Sequence, residues 1–443
     1  MADTKKSKSP EGSLGPAGRG AVSAQQAKAA DRESRAWKWW VAGVLFLATV
    51  LTYLDRQTVS LCGPMLAAEF NLRNEQFGQL LAAFRWTYAL THVLAGYLAD
   101  HFPVRSIYAL AVGVWSFAGT AGAFVSGVPQ LLFTRALLGV GEAFNWPCAT
   151  RIVANMLPPS DRGLASGIFN SGAAVGSLVA PMIITPIAIR YGWRWAFFIV
   201  GAVGVFWIAL WMFTTRRGTP AHSTVTSVAV GTGGDTVSGW ARAIFLQPAF
   251  WMLVMVAITI NPCWYFLNEW IPKYMHDLRG MSYLAAGLVT IPIFLGADIG
   301  NLASGGLIKV LTVRGWPLRK ARGFTLALAT LLIIPVALIT ELRNAPAAIA
   351  LLTLAGIGIT SIIANYTACQ QDFSFANVGI VAGILGMSSN VFAAVVNPLI
   401  GRYVDRTGNY TLIFVLMAAL PALSLAAILV FDSLVHRQKP TGG

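Results

Sequence analysis

Charge is what this chain has least of. Only 11% of its 443 residues are charged, against 56% hydrophobic, and its mean hydropathy is +0.63. A soluble domain carries about 25% charged residues, so an ordinary soluble enzyme or binding module is excluded. The deficit fits a chain held in hydrocarbon, where charge is penalised. Acidic residues are scarcer than basic ones, 18 against 32. That excess does not describe a nucleic-acid surface: it lies in an N-terminal tail (Lys5, Lys6, Lys8, Arg19, Lys28, Arg32, Arg35, Lys38) and in loops between apolar runs. Such placement is the bias that orients membrane proteins. The four cysteines, Cys62, Cys148, Cys263 and Cys369, stand singly, with no CxxC or His/Cys cluster. Neither a disulfide framework, a metal site nor any cofactor is expected. No cleavable signal peptide is visible, and the first 36 residues are polar and rich in Ala, Gly and Ser, as in a disordered tail. His92 is the one histidine inside an apolar run and has no evident partner, which argues against a membrane-embedded enzyme.

What is present is a series of long apolar runs. They fall near 39–61, 76–98, 106–125, 129–152, 164–187 and 194–215, then 248–271, 283–308, 323–341, 346–370, 378–401 and 410–432. At about 20 residues per span, this is an all-α membrane protein of twelve transmembrane helices in two six-helix halves. The expected units are a tail (1–36), a first half (37–215), a cytoplasmic linker (216–247), a second half (248–432) and a short tail (433–443). Paired halves of this kind place a binding site between them at the membrane midplane. With the N-terminus inside, 21 Lys and Arg fall on the cytoplasmic side and 8 on the other. Both termini are therefore expected in the cytoplasm, in a cell or inner membrane, with the lipid bilayer as the constant partner.

Charged residues inside spans are few: Asp55, Arg56, Arg85, Arg135, Glu142, Glu269 and Asp298. Each costs about 2.5–3.5 kcal/mol at a helix centre on insertion scales, so each is a functional candidate. Asp55 and Arg56 are adjacent and project about 100° apart, which lets one face a cavity and the other a neighbouring helix. Arg135 and Glu142 are two turns apart, roughly 10.5 Å along the axis, on one face but too distant for a good ion pair. Glu142, with Asn145 one turn on, is the better proton carrier of the fourth span.

Several stretches resemble one family. Gly96-Tyr97-Leu98-Ala99-Asp100-His101-Phe102-Pro103-Val104-Arg105 resembles the loop signature of the major facilitator superfamily. Tyr53-Leu54-Asp55-Arg56, Arg135 through Ala143, Phe169-Asn170-Ser171-Gly172 and Trp193 through Phe197 resemble motifs of its anion:cation symporter branch. Pro262 through Phe266 and Trp270 through Tyr274 are similar to the seventh span of hexuronate transporters, and Gly401 through Gly408 resembles the loop before the last span. The likeness implies secondary transport by alternating access: proton-coupled symport of a small organic anion, such as a hexuronate, driven by the proton gradient. It further implies that Arg56 binds the substrate carboxylate, that Tyr88 and Asn390 contact sugar hydroxyls, and that Asp55 and Glu142 carry protons, balanced by Arg135. Gly96, Asp100 and Arg105 would form a gating latch, and the transporter would be a monomer. Another anion (an aromatic acid, a dicarboxylate, phosphate or nitrate) stays open, as does the less favoured alternative of a non-transporting membrane receptor. Two residues depart from the pattern: Arg85 in the second span and Glu269 in the seventh. They would either compensate each other between the halves or, in the case of Arg85, bind a second acidic group of the substrate.

Overall fold

The computed structural model describes residues 16–156, 159–217, 244–373 and 378–438. Among them every regular element is helical. Ten helices are long and apolar enough to cross a membrane, and two further spans complete the twelve. The second span, Asn74–His101, falls short on apolarity because it carries Glu75, Gln76, Gln79, Arg85 and His92. The fourth falls short on length because it is two helices, Val128–Glu142 and Asn145–Met156.

This break corrects the expectation of one continuous helix over 129–152, and proline explains it. Pro147 has no N–H to give the carbonyl of Ala143, four residues back. His92 Nδ1 lies 3.1 Å from that oxygen instead. A carbonyl only accepts, so Nδ1 carries the hydrogen. The sequence left His92 without a partner; the structure makes it a cap for the broken helix.

Other boundaries shift. The first helix runs Pro16–Leu61, so its beginning lies within the segment expected as a polar tail. The eleventh span continues to Thr407, which brings Arg402 and Asp405 into its last turns rather than a loop. The expected linker lies largely outside the described residues, and the first six residues of the expected C-terminal tail continue the twelfth helix, Thr411–Gln438.

Large apolar side chains such as Leu110, Phe117, Phe206, Phe213 and Leu331 stand exposed around the bundle, a surface that only hydrocarbon satisfies. Inside, the two halves repeat one packing scheme. The second span crosses the fourth where Gly139 sits on the carbonyl of Phe84, and Thr87 Oγ1 donates to the carbonyl of Ala136 at 2.7 Å. The eighth crosses the tenth where Gly300 sits on the carbonyl of Ile357, and Thr360 Oγ1 donates to that of Ala297 at 2.7 Å. Small residues permit such approach, which is how helices associate without a hydrophobic driving force.

Between the halves, the second span packs along the eleventh and the fifth along the eighth. At one end of the bundle the first of these contacts is tight. A Cβ on Gly78 would collide with the backbone of Asn397 and Pro398, and one on Gly401 with the backbone of Asn74 and Glu75. The Asp405 carboxylate accepts from the backbone N–H groups of Asn74 (2.9 Å) and Glu75 (2.8 Å) and from Asn74 Nδ2 (2.9 Å). One half thus caps a helix of the other, where free N–H groups and the helix dipole favour an anion. Arg402 pairs with Glu75 at 2.6 Å beside it. At the opposite end, where the first span enters and the twelfth leaves, the spans diverge around a cavity.

Candidate functional site

The cavity holds about 1630 Å³. Near its mouth it is lined by Gly96, Ala99, Arg151, Asn301 and Leu302, and at its closed end by Arg56, Gln57, Arg85, Asn268, Glu269 and Asn390.

Helical geometry separates Asp55 from Arg56. Arg56 faces the cavity, its side chain 24% exposed, and its Nε donates to Glu142 Oε2 at 2.6 Å; Glu142 is fully enclosed. The guanidinium lies over three rings, 4.8 Å from the centroid of Tyr88, 5.1 Å from Phe84 and 5.3 Å from Tyr53. Tyr88 is stacked in turn between Phe84 and His92. Asp55 turns away to the third span, where a Cβ on Gly119 would lie 2.9 Å from its Oδ1. Asp55, Thr58, Thr134 and Arg135 bound a void of about 10 Å³ there, enough for roughly one water. Arg135 lines both this void and the main cavity. It lies 5.1 Å from the ring of Phe84 and is buried. Its place is in the core of the first half rather than at the outer end of its helix.

Arg85 and Glu269 form an ion pair between the halves, the first of the two alternatives for these residues. Arg85 Nη1 donates to Asn390 Oδ1 at 2.9 Å, and its guanidinium lies 3.6 Å from the centroid of Tyr265. The other Glu269 oxygen accepts from Asn397 Nδ2 at 3.2 Å, and Asn397 Oδ1 accepts from Trp270 Nε1 at 3.0 Å. The amide of Asn390 is engaged at both ends, because its Nδ2 donates to the carbonyl of Gly386 at 2.9 Å. Gln57 donates to Asn268 at 3.2 Å, and Ser60 Oγ donates to the carbonyls of Asn268 (2.9 Å) and Glu269 (2.8 Å). These bonds roof the cavity. Asn365 Nδ2 donates to Ser304 Oγ at 2.7 Å and to the carbonyl of Ser361 at 2.9 Å, which is polar packing.

Of the expected latch, Gly96 lines the cavity near its mouth, and the side chain of Asp100 lies outside the described residues. Arg105 Nη2 donates to the carbonyl of Met212 at 3.2 Å, and its own carbonyl accepts from Trp211 Nε1 at 3.0 Å. The third span is thereby tied to the sixth. In the second half, Arg322 ties the ninth span to Asp432 (2.7 Å) and Asp372 (2.9 Å).

Sequence patterns did not reveal Tyr53 and Tyr265 as floors for the two arginines, nor the Glu75–Arg402–Asp405 cluster. A signal for the cluster existed: Gly401 and Asp405 have the four-residue spacing of Gly96 and Asp100, but stand at the other face of the bundle. Among the described residues, no group of three or more His, Cys, Asp or Glu could hold a metal ion, and the four cysteines are buried and unpaired.

Twelve spans in two like-packed halves, with a cavity between them that is closed at one end and carries charged residues there, define a polytopic transporter rather than an enzyme. The profile of the Major Facilitator Superfamily matches residues 45–396, and the chain belongs to that family. It is 29% identical over 414 residues to a protein of Cupriavidus necator named a probable sulfoacetate transporter, covering 90% of this chain and 95% of that one. It is 27% identical to a probable galactarate/D-glucarate transporter of Escherichia coli K12, over 88% of this chain and 94% of the other. The hexuronate transporter of the same strain is 25% identical, over 90% and 94%. Among solved structures, a bacterial homologue of the human lysosomal transporter Spinster superposes with a TM-score of 0.69 at 19% identity, covering 90% of this chain and 95% of that one. A D-xylose–proton symporter superposes with a TM-score of 0.70 at 15% identity, covering 88% and 96%. At these identities the structures speak for the fold alone.

Proposed function

We propose that the protein carries a small organic anion, a sugar acid such as a hexuronate, together with protons, by alternating access. The observation that carries this is the Arg56–Glu142 pair in the cavity wall. Ionised Glu142 occupies Arg56; protonated Glu142 releases it. An anion can then take the guanidinium, whose planar fork suits two carboxylate oxygens. Anion and proton thereby replace one another around one arginine, which is the exchange that symport needs. Asp55, with Arg135 across the small void, is a second proton-binding group on the far side of the first span. Tyr88 and Asn390 stand in the same wall and complete the substrate-binding set. The relatives above, all named as transporters of small organic acids, support the substrate class.

Sidedness follows from the Lys and Arg count. The mouth of the cavity lies on the cytoplasmic side of the inner membrane, with both termini, so this is the inward-facing conformation. The outer side is closed by the second and eleventh spans, and Gly96, Asp100 and Arg105 latch the inner side in the opposite conformation. One chain contains the whole cavity and works as a monomer. Loading takes place outside: Asp55 and Glu142 take protons and Arg56 takes the anion. The halves then rock about the midplane. Inside, loss of the protons restores the Arg56–Glu142 pair and expels the anion.

The test is uptake of labelled glucuronate, galacturonate and galactonate into proteoliposomes, with and without an inward proton gradient. Accumulation of one acid only under the gradient is the expected result. Entry of none of them refutes the assignment to a hexuronate or galactonate.

A further inference from the structure

Buried guanidinium groups normally satisfy their N–H donors. Three that line this cavity do not: Arg56 Nη2, Arg85 Nε and Arg135 Nε have no hydrogen-bond partner. For Arg56 and Arg135 the symport cycle supplies a reason, because each faces a carboxylate that changes its charge. Arg85 has no place in that cycle. Its partner, Glu269, comes from the other half and engages Nη2 alone. The Nε–Nη2 edge of a guanidinium is one that holds a carboxylate with two parallel bonds. Here Glu269 takes one donor of that edge, and the other, Nε, is buried and has no partner.

We propose that Arg85 is a second anion-binding residue, and that the cavity selects a small organic anion bearing two acidic groups. Arg56 takes one group and Arg85 the other, with Glu269 as the counter-ion that the second group displaces. The proposal rests on the anion-transport reading above and replaces its hexuronate, which has one acidic group, by a diacid. Four observations support it. Arg85 is held in place by partners other than Glu269, namely Asn390 Oδ1 at 2.9 Å and the face of Tyr265 at 3.6 Å. The fork therefore stays oriented when the glutamate leaves. Glu269 has somewhere to go, since Asn397 Nδ2 already reaches its other oxygen at 3.2 Å and is itself fixed by Trp270. Arg85 is one turn from Tyr88 on the second span, and Arg56 lies on the ring of Tyr88, so both cations serve one stretch of cavity wall. Finally, Arg85 and Glu269 bridge the halves. An acidic group that takes Arg85 from Glu269 acts on a contact between them, and the pair re-forms when the anion leaves.

Two acids with the same six-carbon chain, D-glucarate with two carboxylates and D-gluconate with one, separate this role from that of a structural strut. KM for each is measured by uptake into proteoliposomes for the wild type, Arg85→Gln, Glu269→Gln and the double variant, with thermal unfolding as the folding control. The wild type is expected to prefer glucarate. Arg85→Gln should lower that preference about ten- to a hundredfold, the range of a charge-assisted hydrogen bond. Glu269→Gln should raise it, because Nη2 is freed. If Arg85→Gln does not fold, Arg85→Lys replaces it: the charge stays, the planar fork is lost, and the preference should still fall. Equal effects on both acids, or a double variant that recovers the activity lost in Arg85→Gln with the wild-type preference, would make the pair a strut and overturn the proposal. Gradient-driven uptake with a wild-type preference for gluconate overturns the proposal and leaves the transport reading standing. No uptake of either acid, nor of the three acids named above, refutes both.

Discussion

Replacing Glu142 by glutamine tests the coupling most directly. The amide keeps the size of the side chain and can still accept a hydrogen bond from Arg56 Nε, now at 2.6 Å from the carboxylate, but it cannot take up and lose a proton. Breaking an enclosed ion pair costs about 3–5 kcal/mol, and an exposed one about 0–1 kcal/mol. Arg56 keeps 24% of its side chain open to the cavity, so water replaces part of the lost pairing. The variant should therefore fold, with a loss nearer the lower range. Its transport should change in kind. One pH unit is worth about 1.4 kcal/mol per proton, so each proton carried with the anion lets a one-unit gradient sustain about a tenfold concentration ratio. With the membrane potential clamped in proteoliposomes, Glu142→Gln should lose at least that tenfold. Exchange of labelled for unlabelled substrate, which needs no net proton movement, should continue. An unchanged accumulation ratio would remove Glu142 from the coupling mechanism.

Other tests concern the closed end of the cavity. Gly401→Leu should prevent the second and eleventh spans from closing, because its side chain has only the Asn74 and Glu75 backbone to enter; thiol labelling from outside of a cysteine placed in the cavity should rise and transport should stop. Asp405→Asn weakens the cap that one half places on the other, and a cap is worth about 0.5–2 kcal/mol. The ratio of closed-outside to open-outside chains should fall accordingly, by about two- to thirtyfold, read by the same labelling, and an unchanged rate would deny the cap a gating role. Glu69, in the short helix Gly63–Phe70, accepts from Trp193 Nε1 at 2.5 Å and from Arg194 at 2.6 Å. Partial burial acts to raise its pKa, but these two bonds outweigh burial and hold the carboxyl below its ordinary 4.5. A depressed pKa stabilises the folded state above the unfolded value and is lost as pH falls through the folded one. Wild-type thermal stability should therefore decline below about pH 4.5, by no more than about 1 kcal/mol from this half-exposed pair. Glu69→Gln should flatten that decline, and an identical acid profile would refute the assignment.

Much of the architecture was legible in order. Apolar runs separated by polar breaks mark the spans, because hydrocarbon admits few charges and a helix needs about 20 residues to cross it. The seven charged residues inside the spans stood out for the same reason: six of them gather at the closed end of one cavity or just behind its wall, and Asp298 lines the same cavity. Asp55 and Arg56 turned to different neighbours, as their adjacent positions on a helix require. The break in the fourth span was less visible, although Pro147 announced a missing donor. The sequence does not say that His92, on another span, would reach the carbonyl that Pro147 leaves free.

Composition, helix period and charge placement by themselves determined that this is a twelve-span bundle with charges at its midplane. Each of those features is local: it depends on what a residue costs in lipid or on which face of its own helix it stands. Tertiary structure alone decided the partners. Glu142 answers to Arg56 rather than Arg135, Arg85 reaches Glu269 across the halves, and Asp405 caps the second span from the eleventh. Residues 86, 184 and 331 positions apart meet only because glycines let the helices approach and because this conformation is closed at one end. Sequence spacing holds no record of either.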